Sequence, residues 1–231
     1  MVVVEKVWRY PVKSIGGERL ETVSVDKDGV LGDRVWAVQD GDGRLGSGKN
    51  SRRFTRILGL LGLTSRYDDP AEPPIVIGPD TSEYPVATGA ADAFLSELSR
   101  REVHVRRDTG VMHFDEVPLS LVGTATLDWL ADQLPHIAID ERRLRPNFVV
   151  RTDQPFAEEQ WIGRVLRIGS AEAVFDRVFM RCVMVGMEQP GLPDSSDVLK
   201  RVGQREDNPV CLAVGGEIVT AGQVSLGDAV R

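Results

Sequence analysis

Short runs of β-branched and other apolar residues recur along most of this chain and constrain its fold more than any other feature. Gly, Asp or Pro bounds most of these runs, as is typical of β-strands; they cover residues 1–10, 21–26, 34–40, 74–78, 102–108, 148–153, 164–180 and 217–230. Several follow one another too closely for the intervening helices that a doubly wound parallel sheet requires. The sequence therefore predicts a mainly β protein whose antiparallel sheets close into barrels.

Three segments interrupt the β pattern with the spacing of amphipathic helices. Residues 87–101 and 123–134 carry apolar side chains three and four positions apart. Residues 194–204 open with Asp and Ser residues that can cap a helix, and the pattern ends near Gly203. We therefore expect a few peripheral α-helices on a β framework.

The most plausible domain boundary follows the strand predicted over 102–108, which carries three basic side chains and gives way to a loop. The Pro- and Asp-rich stretch 67–85 is interpreted as a surface loop around a short strand, not as a linker. We thus predict two packed β-rich domains, an N-terminal one over residues 1–108 and a C-terminal one over 109–231.

Composition limits the compartment and the partners. No stretch approaches the ~20 apolar residues that span a bilayer, and Glu5, Lys6 and Arg9 lie where a signal peptide would be apolar. A cytoplasmic protein without membrane contact is expected. The net charge of -7 argues against a nucleic-acid partner but allows a local basic pocket. The two cysteines, Cys182 and Cys211, are too few for a disulfide framework.

The stretch "GRLGSGKN", residues 43–50, matches the first seven positions of a phosphate-binding P-loop. The match then fails, because Asn50 stands where a Ser or Thr hydroxyl should hold magnesium, and two arginines rather than an apolar helix follow. We interpret the stretch as a Gly-rich hairpin loop. Lys49 and the arginines after it can still meet an anionic ligand without any nucleotide hydrolysis.

Polar and basic residues recur at the ends of the predicted strands. "RYPVKSIGG" presents Lys13 and Ser14 beside two glycines, "GDRVWAV" presents Arg34, and "LRPNFVV" presents Arg145 and Asn147. Donors held stiffly at strand ends can surround a cavity that recognises a phosphate or a polar heterocycle. Each of them taken alone is more often a turn residue or a surface charge, and Asn147 could simply close a turn.

Five motifs, "YPVKS", "GDRVWAV", "LRPNFVV", "EEQWIGRVLRIG" and "FMRC", occur in an order and at separations that resemble the MOSC family with its N-terminal β-barrel domain. The resemblance extends from about Val2 to the closing "GQVSLGDAV", so it covers nearly the whole chain. It is closest to the amidoxime-reducing members. Those proteins bind a pyranopterin molybdenum cofactor and use a cysteine thiolate as a metal ligand.

The resemblance implies a role for each matching residue. Cys182 would be the metal ligand and the catalytic centre; the cofactor-binding residues would be Lys13, Ser14, Arg34, Arg145, Asn147 and Arg181. Soft thiolate sulfur suits molybdenum, and a neighbouring cation favours the thiolate. The implied reaction is two-electron reduction of an amidoxime or another N-hydroxylated small molecule. Two cysteines cannot supply the four thiolates of an iron–sulfur cluster, so a separate protein would donate the electrons. The three histidines lack zinc-site spacing.

The chain also departs from the family pattern. Members commonly have Ser-Arg-Cys followed by Thr-Thr-x-Asp, whereas Met180 precedes Arg181-Cys182 here and "VMVG" follows. The pocket is therefore more apolar, and whether the chain is an enzyme stays open. One alternative is a non-catalytic carrier of the cofactor, or of sulfur on Cys182. Another is a structural or partner-binding protein in which Cys182 only fills the core. Cys211, in an apolar run, is expected to be buried.

Overall fold

The computed structural model describes residues 1–109, 113 and 116–231. Its strands are β1 (Val4–Arg9), β2 (Val12–Lys13), β3 (Glu18–Leu20), β4 (Thr22–Asp26), β5 (Gly29–Val30), β6 (Trp36–Asp40), β7 (Leu45–Ser47), β8 (Phe54–Arg56), β9 (Thr64–Arg66), β10 (Ile75–Ile77), β11 (Glu83–Pro85), β12 (Val103–Arg107), β13 (Leu119–Gly123), β14 (Phe148–Val150), β15 (Val165–Ile168), β16 (Ala171–Met180), β17 (Cys211–Thr220) and β18 (Gly222–Ser225). Its α-helices are α1 (Ala90–Ser99), α2 (Thr124–Gln133) and α3 (Asp197–Gly203). The predicted fold class, mainly β with a few helices, is confirmed.

The largest sheet has seven strands in the order β15-β16-β17-β13-β14-β1-β3. Its pairings are antiparallel except for β13 with β14, which α2 connects as a crossover. A three-stranded sheet, β18-β4-β5, packs against it. In β4 the side chains of Val23 and Val25 are buried, while the residues that alternate with them are exposed. This is the period-2 alternation of a strand with one face on the core.

The core of this sheet draws on both ends of the sequence. Val7 of β1 pairs with Phe148 of β14, and Val23 of β4 pairs with Val224 of β18. All four side chains lie in one hydrophobic cluster. Strands β1 and β4 therefore share a core with the C-terminal half, and the domain division at residue 108 stays a prediction.

A second β unit comprises the sheet β12-β6-β7-β8, with β2 paired to β6, and the small sheet β11-β10-β9. Helix α1 covers its core because Ala91 and Leu95, four residues apart, turn the same face inward against Val38 and Val103. Strands β2 and β8 end at the boundary between this unit and the large sheet. The end of β2 with the residue after it, and the end of β7 with the loop that leads to the start of β8, form part of the cavity described below.

The three predicted helices are present, each within about three residues of its expected bounds. At the start of α3 the Ser196 side chain makes no capping hydrogen bond, and Ser195 Oγ accepts from the backbone N–H of Asp197 at 3.3 Å. In the part of the chain that the structure describes, no helix has the length and apolar character needed to cross a bilayer.

Candidate functional site: a basic cavity beside Cys182

A cavity of about 380 Å³ lies where the two β units meet. Six of the seven side chains predicted from the sequence line it, namely Lys13, Ser14, Arg34, Arg145, Arg181 and Cys182. They come from the ends of β2 and β16 and from the loops before β6 and β14. Strand ends that are distant in sequence thus converge on one concave surface, as the sequence predicts.

The cavity is strongly basic although the chain is acidic. Among the described residues that line it, one is acidic, Glu116, and seven are basic: Lys13, Arg34, Lys49, Arg53, Arg143, Arg145 and Arg181. The whole chain carries a net charge of -7. Low-dielectric walls lined by one sign of charge concentrate counter-ions of the opposite sign. The charge of this lining is therefore complementary to that of an anionic molecule.

Three of the lining residues have a backbone conformation that residues other than glycine rarely adopt. The φ angles of Ser14, Arg34 and Arg145 are 64°, 53° and 55°. Such left-handed residues cost on the order of 1–3 kcal/mol each and persist where the surrounding structure enforces them. Hydrogen bonds do so here: Arg34 N–H donates to Tyr10 O at 2.7 Å, and Arg145 N–H donates to Glu141 O at 3.0 Å. The backbone of Arg34 and of Arg145 is thus fixed at the cavity wall.

Tyr10 forms the platform for two of these cations. The guanidinium carbons of Arg145 and Arg34 lie 4.3 and 4.9 Å from the centroid of its ring. Arg34 also pairs with Asp33 and donates from Nη2 to Arg145 O at 2.9 Å. The Tyr10 hydroxyl donates to Pro146 O at 3.2 Å, and burial raises its pKa, so it stays a neutral phenol. Cation–π attraction lets two like charges share one site.

Arg181, at the end of β16, has its backbone and part of its side chain fixed. Nε donates to Leu212 O at 2.7 Å and Nη1 donates to Leu144 O at 3.1 Å. Nη2 is buried and has no hydrogen-bond partner among the described residues. Burial lowers the pKa of Arg181 to about 10, an effect that the charge of Cys182 partly offsets. Arg181 therefore remains a cation at neutral pH, with one donor available to a ligand.

Cys182 begins the turn that follows β16, just before the 3₁₀ helix Val183–Gly186. Its thiol is free and half-buried, and it forms part of the cavity wall. The alternative of a core-filling thiol does not describe this placement. Cys211 is also half-buried, so the prediction that it would be buried is wrong; it pairs with Met180 at the start of β17.

Asn147 is the one predicted site residue that does not line the cavity. It is completely buried, and its Oδ1 accepts from both N–H and Oγ of Ser120 at 3.1 Å. Its Nδ2 donates to Trp8 O at 3.5 Å. Asn147 directly precedes β14, the strand that lies between β13 and β1 in the sheet. Its side chain therefore links β13 to β1. Asn147 thus supports Ser120, a lining residue, from behind.

Sequence reasoning missed Arg143 as a residue of this site. Its side chain is buried and donates to Ala138 O at 3.0 Å, to Val185 O at 3.3 Å and to Pro193 O at 2.8 Å. It thereby clamps the loop after Cys182. The motif "LRPNFVV" drew attention to Arg145, and nothing in the local pattern distinguishes a buried arginine two residues earlier.

The Gly-rich stretch 43–50 leads to a strand rather than a helix, which agrees with its rejection as a P-loop. It is a hairpin loop only in part: residues 43–44 end the turn between the antiparallel strands β6 and β7, and Leu45–Ser47 form β7 itself. Strand β7 runs parallel to β8, and the loop between them carries Lys49 and Arg53 into the cavity wall. The suggestion that these basic residues can face an anionic ligand is consistent with this placement.

The adjacent carboxylates Glu158 and Glu159 lie in a 3₁₀ helix, Ala157–Trp161. They still face different partners. Glu158 Oε2 accepts from Thr126 Oγ1 at 2.9 Å, while Glu159 accepts from Arg205 Nη1 at 2.7 Å. The two carboxylates therefore do not form a pair that could act on one bond of a substrate.

Burial raises the pKa of Glu158 above its ordinary value of 4.5, so the folded protein holds this proton more tightly than the unfolded chain does. The resulting stabilisation is complete below pH 4.5 and is lost as the pH rises through the folded-state pKa. We expect Glu158→Gln to gain in unfolding temperature relative to wild type as the pH rises from about 4.5 to 8. Calorimetry across this pH range measures the difference in unfolding temperature, and Glu21→Gln, at an exposed position, is the control. A pH-independent difference would contradict the assignment.

Comparison with known proteins identifies the chain. The structure defines the class: a β protein with a basic cavity beside a free thiol. A model of the MOSC domain matches residues 108–231, and a model of the MOSC N-terminal beta barrel domain matches residues 1–62. The chain belongs to the MOSC domain family, which is associated in general with the molybdenum cofactor. The predicted family is confirmed.

Solved structures and curated proteins add less. The YUAD protein from Bacillus subtilis is similar in fold, with 14% identity, a TM-score of 0.50, and coverage of 100% of this chain and 94% of that chain. A structure of a hypothetical protein has 10% identity and a TM-score of 0.48, covering 100% of this chain and 67% of that chain. No curated protein matches the sequence.

Proposed function

We propose that this chain is a molybdenum-cofactor-binding oxidoreductase that reduces amidoximes or other N-hydroxylated compounds. The observation that carries the proposal is the free thiol of Cys182, which opens beside the buried cation Arg181 into a cavity lined by basic side chains. A separate protein supplies the electrons, because two cysteines cannot hold an iron–sulfur cluster of their own. The partners are thus a small substrate and an electron donor.

The residues present fit the pyranopterin cofactor in three ways. Thiolate sulfur of Cys182 is the soft ligand that molybdenum favours. The basic lining suits the cofactor's phosphate, and the left-handed loops that carry Ser14, Arg34 and Arg145 hold these donors in place. The unsatisfied Nη2 of buried Arg181 needs an acceptor, which a polar ligand beside Cys182 provides. Lys13, next to Ser14, completes this set.

The chemistry that the bound cofactor supplies is two-electron reduction of the substrate N–O bond, which breaks as two protons are taken up and the oxygen leaves as water. The chain's own residues bind and orient the cofactor and the substrate, and shield them from water. Cys182 is the metal ligand, and Arg181 keeps a positive charge beside it at neutral pH. Leu144 and Val185 on the cavity wall limit the access of water.

A carrier of the cofactor, or of sulfur on Cys182, is the second candidate. Val183 and Met184 occupy positions where the resembled reductases have hydroxyl groups. Replacing these hydroxyl groups by apolar side chains favours a protein that binds the cofactor without turning over a substrate. A persulfide on Cys182 would be the mark of the sulfur-carrying form.

The deciding experiment measures molybdenum per chain by mass spectrometry after expression in a host that makes the cofactor. We expect about one metal atom per wild-type chain and a loss of most of it in Cys182→Ser, because metal affinity depends on the ligating thiolate. Cys211→Ser is the matched control and should retain the metal. Full retention in Cys182→Ser would refute the ligand assignment. Metal without reduction of any N-hydroxylated compound would favour the carrier.

A further inference from the structure

The chain from residue 182 to residue 195 forms a loop that closes on itself, and we name it the Cys182 loop. Ser195 N–H donates to Gly186 O at 2.7 Å. A Cβ atom on Gly186 would lie 2.3 Å from Ser195 O, so the two parts of the loop approach as closely as glycine allows. The loop carries both Cys182 and Met184 of the cavity wall. Its shape therefore determines where the thiol lies.

The side chain of Arg143 lies inside this closed loop. It donates to three carbonyl oxygens of the loop: those of Val185 at 3.3 Å, Met187 at 3.5 Å and Pro193 at 2.8 Å. A further donation goes to Ala138 O at 3.0 Å, outside the loop. An irregular loop has to find such a partner separately for each buried carbonyl. Here one guanidinium serves three of them and holds them at fixed points.

Arg143 serves the loop through the directions of its donors and not through an ion pair. The side chain is 2% exposed and forms no ion pair with any residue that the structure describes. Burial lowers its pKa, and the nearby charges of Asp140 and Asp194 partly offset that effect. The N–H groups of a guanidinium point in fixed directions, whereas a lysine ammonium is a single point charge on a flexible stem. Lysine would therefore keep the charge here and lose the geometry.

The other cysteine has a buried arginine of its own, which offers a matched comparison. Arg205 is 8% exposed, and its Nη1 donates to Cys211 O and to Glu159 Oε1, both at 2.7 Å. Each cysteine-bearing segment is thus held by a different buried guanidinium. A change at Arg143 and the same change at Arg205 disturb equally buried side chains but different thiols.

We propose that Arg143 is a positioning residue for Cys182: by holding the Cys182 loop from inside, it fixes the direction in which the thiol faces the cavity. Arg143 acts through the loop carbonyls, because all of its hydrogen bonds in the structure go to them and to Ala138 O. The inference rests on the proposed function where it concerns the metal, since Cys182 is the ligand there. The placement of the thiol itself can be tested without any metal.

The first test measures alkylation of the two cysteines by iodoacetamide in the metal-free full chain, followed by peptide mass spectrometry. In Arg143→Lys we expect Cys182 to react about tenfold faster than in wild type, as the loss of one or two hydrogen bonds that keep the loop closed allows. The rate at Cys211 should not change. Arg205→Lys is the matched control and should leave the rate at Cys182 as in wild type.

The ratio of the two rates separates positioning from a general loss of stability. A folded Arg143→Lys protein with the wild-type rate at Cys182, or with both cysteines accelerated equally, would overturn the proposal. Arg143→Gln keeps two N–H donors without the charge and answers the same question if the lysine variant does not fold. Circular dichroism establishes that each variant is folded before it is alkylated.

Measurements on the molybdenum-loaded chain separate this inference from the proposed function. If wild type binds no molybdenum, the proposed function fails and the alkylation rates still test Arg143. If it does bind the metal, Arg143→Lys should retain less of it, because residues that orient a metal ligand typically change metal affinity about ten- to a hundredfold. The molybdenum(V) electron paramagnetic resonance signal should also shift in Arg143→Lys and not in Arg205→Lys. Wild-type metal content with an unchanged signal in Arg143→Lys would refute the positioning role.

Discussion

Replacing Arg181 by methionine should lower the free energy of unfolding by about 2–5 kcal/mol and abolish retention of molybdenum. The carbonyl oxygens of Leu212 and Leu144 lose their donors, and each unsatisfied buried acceptor costs about 1–3 kcal/mol. The cavity also loses the cation next to Cys182. Urea unfolding measures the first effect, and metal content measures the second.

Two variants separate the role of Arg181 in folding from its role in binding. Arg181→Lys keeps the charge but cannot donate to both carbonyls and to a ligand at once, so we expect partial stability and reduced metal content. Arg177→Met removes an exposed arginine that pairs with Asp176 on the same strand and should change neither measurement. Wild-type metal content in a folded Arg181→Met protein would show that this guanidinium does not hold the ligand.

Replacing Tyr10 by leucine should weaken anion binding about tenfold to a hundredfold and lower stability by about 2–4 kcal/mol. The ring supports both Arg34 and Arg145, and each cation–π contact contributes roughly 0.5–2 kcal/mol. A smaller side chain also leaves a void in a packed core. Titration calorimetry with inorganic pyrophosphate measures anion binding, and thermal unfolding measures stability.

Tyr10→Phe is the matched control because it keeps the ring and removes only the hydroxyl. It loses the hydrogen bond to Pro146 O, which costs about 1 kcal/mol, and should retain the anion affinity of wild type. If Tyr10→Phe and Tyr10→Leu weaken anion binding equally, the hydroxyl rather than the ring positions the two arginines.

Local patterns predict much of this fold. The alternation of Thr22–Asp26 identifies a strand with one buried face, and the spacing of Ala91 and Leu95 identifies a helix, because each depends only on neighbours in sequence. The pairing of β1 with β14 joins residues more than a hundred positions apart. No local pattern specifies that pairing, so the shared core of the two ends emerges only from the structure.

The residues of the candidate site likewise divide into those that local patterns predict and those that only the fold reveals. Lys13, Arg34 and Arg145 could be predicted because each occupies a strand end in a recognisable motif. Asn147 lies in such a motif too, but the hydrogen bonds that turn it toward Ser120 come from a different strand. Lys13 and Lys49 lie over the same ring, that of Phe54, only in the folded chain, and nothing in the sequence shows that they share it.

The order in which the chain is synthesised gives the pairing of its two ends a further consequence. Val4, which leaves the ribosome well before Val150 and Asp228, pairs with Val150 and donates to Asp228 O at 2.9 Å. Strand β1 thus stays incompletely paired until residues through 228 have emerged. Long-range pairings of this kind form slowly, because a large loop must close first. We infer that the large sheet closes only after translation of these residues.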